Sequence, residues 1–276
     1  MEEVTAERMP TGISSLDPVL DGGIPPGSVV LLSGTQGSGN REFVYSSIIF
    51  LANMKKSGQI RENTILPGEI AYITFTRLSS SILKEISISF KKDLIVGIEE
   101  NVRFIDLSEI YFESTIVPTG WYSDSTILER FQKKSSDESL IGALAAKLNE
   151  LPDKSLIIID SISDVATGFC GQNEWKEIVG FLRGLQRVSK KWNSTIMVLI
   201  SEGILPEQKF MEIADCCDAL VNFSWEESSG RKRQRIMFFE KFAGVMPHLE
   251  ENDLVKFGVK ISPEAGFEVS NIRVVI

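Results

Sequence analysis

Gly34-Thr35-Gln36-Gly37-Ser38-Gly39-Asn40-Arg41 is the stretch that decides how this 276-residue chain is read. Its spacing is that of the phosphate-binding pattern G-x-x-x-x-G-K-S/T, with Asn40 at the lysine position and Arg41 at the Ser/Thr position. The apolar run Ser28–Ser33 (SVVLLS) leads into it, and Phe43, Val44, Ser47, Ile48 and Leu51 share one helical face after it. A strand, a glycine loop and a helix beginning near Asn40 aim backbone N–H groups and a positive dipole end at one point. Gly34, Gly37 and Gly39 keep the backbone freedom this needs. The same glycines also suit a plain sharp turn, and the sequence leaves both readings open.

The side chains at 40 and 41 change the chemistry. Asn40 is shorter than lysine and neutral; one lost charged hydrogen bond weakens anion binding by about 1.5–3 kcal/mol. The loss bears harder on phosphoryl transfer, which rests on electrostatic stabilisation of the moving group. A Ser/Thr hydroxyl at position 41 would coordinate Mg²⁺, whereas a guanidinium is itself a cation and cannot. Arg41 can turn toward Asp160, the acid that ends Leu156–Asp160 (LIIID), or point to solvent from the first helical turn. The pair is the favoured reading, because a buried carboxylate without a partner is costly.

Outward from the loop, Ile70–Phe75 (IAYITF), Val102–Asp106 (VRFID), Leu156–Asp160 and Thr195–Ile200 (TIMVLI) are short, nearly all-apolar runs. Such runs are strands buried on both faces of a parallel sheet. Helical periods separate them: good helix formers over 138–149, stopped at Pro152, and a stripe of Trp175, Ile178, Leu182 and Leu185 within 174–191. The alternation predicts an α/β fold, a mostly parallel central sheet with helices on both faces. Near the C-terminus, Ala219–Trp225 with Arg235–Phe242, and Lys256–Ile261 with Phe267–Ile272, read as two antiparallel hairpins. Residues 108–137 read as a long irregular excursion. Neither linker nor repeat divides the sequence, so one domain over 1–276 is expected.

Composition narrows the classes. The apolar share of 43% and charged share of 24% are those of a globular protein. With 29 Lys+Arg against 38 Asp+Glu the net charge is −9, which argues against nucleic-acid binding through a general basic surface and against an acidic membrane leaflet. The run Arg231-Lys232-Arg233-Gln234-Arg235 is the local exception. Beside Glu226 and Glu227 it reads first as a solvated hairpin tip and second as a nucleic-acid contact. No apolar run reaches the ~20 residues of a membrane span. The start, MEEVTAERMP, does not resemble a signal peptide. Cys170 and the adjacent Cys216 and Cys217 read as reduced thiols of a cytoplasmic protein, the pair as semi-buried residues on a helix end rather than a redox switch. The single His248 has no ligand partner at metal spacing, and no metal site is assigned.

Four segments in order resemble the KaiC/RadA branch of the RecA superfamily. Thr11–Asp17 (TGISSLD) with Leu20–Ser28 (LDGGIPPGS) is similar to that family's entry into its first strand. The loop at 34–41, the strand LIIIDS at 156–161, and MVLISE at 197–202 followed by Ile213-Ala214-Asp215 and Asp218-Ala219-Leu220-Val221 are the others. The resemblance covers nearly the whole chain and implies a RecA-like P-loop core. It is strongest to archaeal and bacterial KaiC-like proteins, among them archaeal members regarded as inactivated ATPases. In the family an acidic pair follows the second strand and orients the attacking water; here Thr76-Arg77 stand there. The family's K-x-R-G supplies cations across a subunit boundary; here Lys241-Phe242-Ala243-Gly244 keeps the lysine and loses an arginine whose kind is worth about 10³–10⁵ in rate.

The resemblance thus places a nucleotide site at Gly34, Gly37, Ser38, Gly39, Asn40, Arg41 and Asp160, with no catalytic residue and no metal ligand assigned. Glu202 is a secondary candidate at the end of its strand. The expected cofactor is none, or ATP held weakly without Mg²⁺. The expected role is that of a regulatory or scaffolding pseudo-ATPase, in the area of signal transduction, bound to a protein partner or paralogous ATPase and able to form a homo-oligomer. The alternatives are a weakly active ATPase and a recombination accessory protein.

Overall fold

The computed structural model describes residues 7–58, 63–123, 139–168, 171–227 and 233–271. Its centre is a nine-stranded sheet in the order β3-β2-β4-β5-β1-β6-β7-β8-β9. The strands are β1 (Val29–Gly34), β2 (Ile70–Thr74), β3 (Val102–Asp106), β4 (Leu156–Asp160), β5 (Thr195–Ser201), β6 (Ala219–Glu227), β7 (Arg233–Phe242), β8 (Lys256–Ser262) and β9 (Gly266–Asn271). From β3 to β6 all neighbours are parallel; β7, β8 and β9 continue the sheet antiparallel. The fold is α/β with a parallel core and C-terminal antiparallel strands, as the alternation of apolar runs and helical periods predicts.

Period-two alternation divides each central strand between two cores. Val30 and Leu32 of β1 pack on one face with Ile48 and Leu51 of the helix Asn40–Ser57. Val29 and Leu31 pack on the other with Ile178, Leu182 and Leu185 of the helix Gln172–Trp192. β1, β2 and β4 are buried at every position, which is why their sequences carry no polar face. The edge strand β3 keeps only Val102 and Ile105 buried.

The first family-like segment does structural work. Asp17 Oδ1 accepts from the Thr11 N–H at 2.7 Å and from the Thr11 hydroxyl at 2.6 Å, closing a buried turn. Gly23 sits at φ 143°, where a Cβ would come within 2.1 Å of the Met9 carbonyl oxygen, so no other residue fits there. Asp218 ties β1 to β6. Its carboxylate accepts from the Val29 N–H at 2.9 Å, Lys190 Nζ at 2.6 Å and Gln186 Nε2 at 3.0 Å.

Two expectations are corrected. The excursion at 108–137 begins with a helix, Ser108–Glu113, whose first N–H is taken by Asp106 Oδ1 at 2.9 Å, and continues into a 3-10 turn at Thr119–Trp121. Fewer than two helical turns leave no legible period; positions 124–137 lie outside the described residues. Cys216 and Cys217 are not semi-buried but 1% and 0% exposed, with thiols directed at the carbonyls of Glu212 and Ile213. Burial, foremost, raises both thiol pKa values, that of Cys217 to about 12. Cys170 lies outside the described residues.

Candidate functional site

The glycine loop leaves the C-terminal end of β1 and enters the helix Asn40–Ser57 through Gly39, at φ 110°. A Cβ on Gly39 would lie 3.2 Å from Ile261 Cδ1 and 3.4 Å from Phe267, so the β8–β9 hairpin packs directly against the loop. Ser38 is fully buried and its hydroxyl donates to the Thr35 carbonyl at 2.7 Å. Asn40 folds its amide back over Gly34, and its Oδ1 accepts the Arg41 N–H at 3.0 Å. One of the amides at the helix start is therefore already satisfied by the residue standing in the lysine position.

Of the seven residues expected at the site, Gly34, Gly37, Asn40, Arg41 and Asp160 line one cleft of about 410 Å³, which Glu202 also lines, its N–H donating to the Gly34 carbonyl at 3.0 Å. Ser38 and Gly39 are absent from that lining; they lie beneath the loop and against the hairpin. Asp160, at the C-terminal end of β4, is 2% exposed. Its Oδ1 is 3.4 Å from Arg41 Nη2. Its Oδ2 accepts from the Tyr72 hydroxyl at 2.6 Å and lies 3.7 Å from Arg77 Nη1. Arg77 is held in turn by the Tyr45 hydroxyl at 2.9 Å and by Glu85.

Burial works to lower the Arg41 pKa, but the charge of Asp160 and its neighbours outweighs it and the value is raised. Arg77 behaves alike: burial opposes, while Tyr45 and Glu85 together lift it. Burial pushes the Tyr45 phenol to about 12 against the pull of Arg77, and holds that of Tyr72 well above its ordinary value with Asp160 adding to the effect. Around neutral pH Tyr72 is therefore a hydrogen-bond donor to Asp160 and both guanidiniums are charged.

The family pattern would put Mg²⁺ beside Asp160, and these residues do not fit it. A divalent cation needs open oxygen ligands. One carboxylate oxygen faces Arg41, the other accepts a hydrogen bond from the Tyr72 hydroxyl beside Arg77, and position 41 offers no hydroxyl.

Sequence reasoning missed Tyr45, Tyr72 and Glu85, and read Arg77 only as a lost acid. The available signal was Tyr72 itself, a hydroxyl in the middle of an apolar run, two residues before Thr74 on the same face. The basic run is also corrected. Arg235 lies on β7 and its Nε donates to the Gly37 carbonyl at 2.9 Å, while Trp225 Nε1 donates to the Gln36 carbonyl at 3.2 Å. The Arg235 and Arg233 guanidiniums lie 4.4 and 5.0 Å from the Trp225 ring centre. Glu226 pairs with Lys256, leaving these arginines to the indole and the loop. Arg231 and Lys232 lie outside the described residues. Lys241 Nζ donates to the Ala214 carbonyl at 3.2 Å, on its own chain.

Among the described residues no helix is long and apolar enough to cross a membrane. A crystal structure of a KaiC-like protein of the hyperthermophilic archaeon Pyrococcus horikoshii OT3 superposes with a TM-score of 0.59, covering 96% of this chain and 99% of that one at 17% identity. That likeness speaks for the fold alone. The circadian clock oscillator protein KaiC of Prochlorococcus marinus (strain MIT 9313) is 36% identical over 99 residues, a match spanning 36% of this chain and 17% of that protein. The family profile described as ATPase: KaiC matches residues 9–251, most of the chain and every residue lining the cleft. The chain belongs to the KaiC ATPase family.

Proposed function

We propose that this KaiC-family protein does not turn over ATP and works by binding, as a regulatory or scaffolding pseudo-ATPase. The observation that carries the reading is the state of Asp160: Tyr72 donates to it and the guanidiniums of Arg41 and Arg77 flank it, where a metal would need open oxygen ligands. Arg77 also replaces any carboxylate that could activate water after β2. Replacing a metal by fixed guanidiniums stabilises the site without a ligand and removes the mobile charge that phosphoryl transfer draws on. The cleft keeps its loop, so a phosphate-bearing nucleotide can still enter, weakly and without Mg²⁺. One RecA/KaiC-like unit over 1–276, a cytoplasmic setting, a signalling role, and association with itself or an active paralogue complete the proposal.

Calorimetric titration of ATP with and without Mg²⁺, paired with a phosphate-release assay, tests it. The expected result is weak affinity at most, unchanged by Mg²⁺, and release no faster than buffer. Sub-micromolar, Mg²⁺-dependent binding, or turnover abolished by Asp160→Asn, would overturn it.

A further inference from the structure

The helical layer on one side of the sheet ends before the sheet does. The helix Glu207–Asp215 packs over the start of β6 through Ile213 and Ala214, which join Leu220 in the second core. Beyond it, β6 and β7 keep only the first core behind them, through Phe223, Met237 and Phe239. Their other face carries Asn222, Ser224, Ile236, Phe238 and Glu240, brought together by the pairing of Asn222 with Phe238 and of Ser224 with Ile236. Between this face and Phe210 and Met211 of the helix runs an open groove of about 690 Å³. Met211 is 48% exposed beside it, as is Ile204 at 47% on the adjoining turn.

The rim has one sign. Glu202, Glu207 and Glu240 border the groove and are exposed. Among the described residues none of the three has an ion pair; Glu240 is oriented by the Asn222 amide. The one cation in the lining, Lys256, is engaged by Glu226 at 2.7 Å. A floor of Phe238 and Ile236 with a free acidic rim calls for an apolar anchor flanked by positive charge. A second copy of the chain carries the same net −9, so charge favours a different molecule.

We infer that this groove docks a basic segment of another protein, one that places a Leu, Met or Phe between Lys or Arg residues. The inference deepens the binding role proposed above, but it stands on residues other than Arg41, Arg77 and Tyr72, so nucleotide assays and groove assays fail separately. Glu202 and Gly203 line both the groove and the loop cleft, which places the docked segment next to the cleft mouth.

The test is selection of a random 12-residue peptide library on the full chain, followed by fluorescence anisotropy with the enriched peptides. Peptides pairing an apolar anchor with two or more Lys or Arg are expected. Their affinity should fall at least tenfold with Glu207→Lys/Glu240→Lys, fall similarly with Met211→Asp, and weaken as salt rises. All the substituted side chains are exposed, and matching thermal melts check the fold. No enrichment, enriched peptides without basic residues, or affinities unmoved by both variants would overturn the inference. So would self-association, seen by sedimentation, that the same substitutions abolish.

Discussion

At the scale of single residues, the chemistry turns on what surrounds one carboxylate. Asp160 is held by the Tyr72 hydroxyl at 2.6 Å and lies between two guanidiniums at 3.4 and 3.7 Å. The short contact is the neutral donor, and the arginines stand somewhat beyond the 2.7–2.9 Å of a strong charged hydrogen bond. Tyr72→Phe should therefore be felt: removing a donor from a buried carboxylate costs about 1–3 kcal/mol, read as a lower urea midpoint at pH 7. Restoring the missing loop residues tests the opposite direction. Asn40→Lys/Arg41→Thr should raise ATP affinity and make it Mg²⁺-dependent, by tens-fold for about 1.5–3 kcal/mol of recovered charged hydrogen bond. Phosphate release should stay at background in that variant, because Arg77 still stands where a water-activating acid would be needed. Rapid turnover in the double variant would show that the lost function lay in the loop alone.

At the scale of elements, the loop is held from outside by the β6–β7 hairpin. Trp225 and Arg235 take the carbonyls of Gln36 and Gly37, and the indole carries both Arg233 and Arg235. Trp225→Ala should therefore loosen the loop more than it unfolds the protein. The expected readout is faster amide hydrogen exchange at 35–39 with a melting temperature shifted by a few degrees at most; uniform faster exchange would mean a general loss of stability instead. The helix Glu207–Asp215 supplies a second prediction through the thiol at its end. Cys217 keeps its proton to about pH 12 in the fold against an ordinary 9.0. Its contribution to stability is thus fully present below pH 9 and is lost as pH rises toward 12. Urea unfolding between pH 8 and 10 should show falling stability, and Cys217→Ala should flatten the slope that begins near pH 9, whatever its effect on absolute stability. The phenols of Tyr45 and Tyr72 act with the same sign, but from higher pH.

At the scale of the whole molecule, two cores on a nine-stranded sheet are joined where Asp218 links β1, β6 and the helix Gln172–Trp192. Asp218→Ala leaves a buried β1 amide without its acceptor and leaves Lys190 Nζ with only the Gly27 carbonyl at 2.8 Å. A loss of about 2–3 kcal/mol is expected, measured by equilibrium unfolding, with Asp218→Asn recovering part of it. The parallel core and both hairpins were legible in sequence because burial on two faces demands uninterrupted apolar runs, and hairpins demand turn residues between strands. The glycine loop and the substitutions at 40 and 41 were legible too, since spacing along the chain is a one-dimensional property. The partners of Asp160 were not. Arg41, Tyr72 and Arg77 come from a helix, a strand and the turn after it, with Tyr45 and Glu85 behind Arg77, and only the parallel register that sets Thr74 beside Asp160 brings them to one carboxylate. Nor could a run of arginines announce that one of them holds the loop, because β7 reaches Gly37 by sheet pairing across almost two hundred residues. Sequence determined which chemistry was missing from the cleft; tertiary packing decided what took its place, since charge and hydrogen bonds act through space and the chain orders only its neighbours.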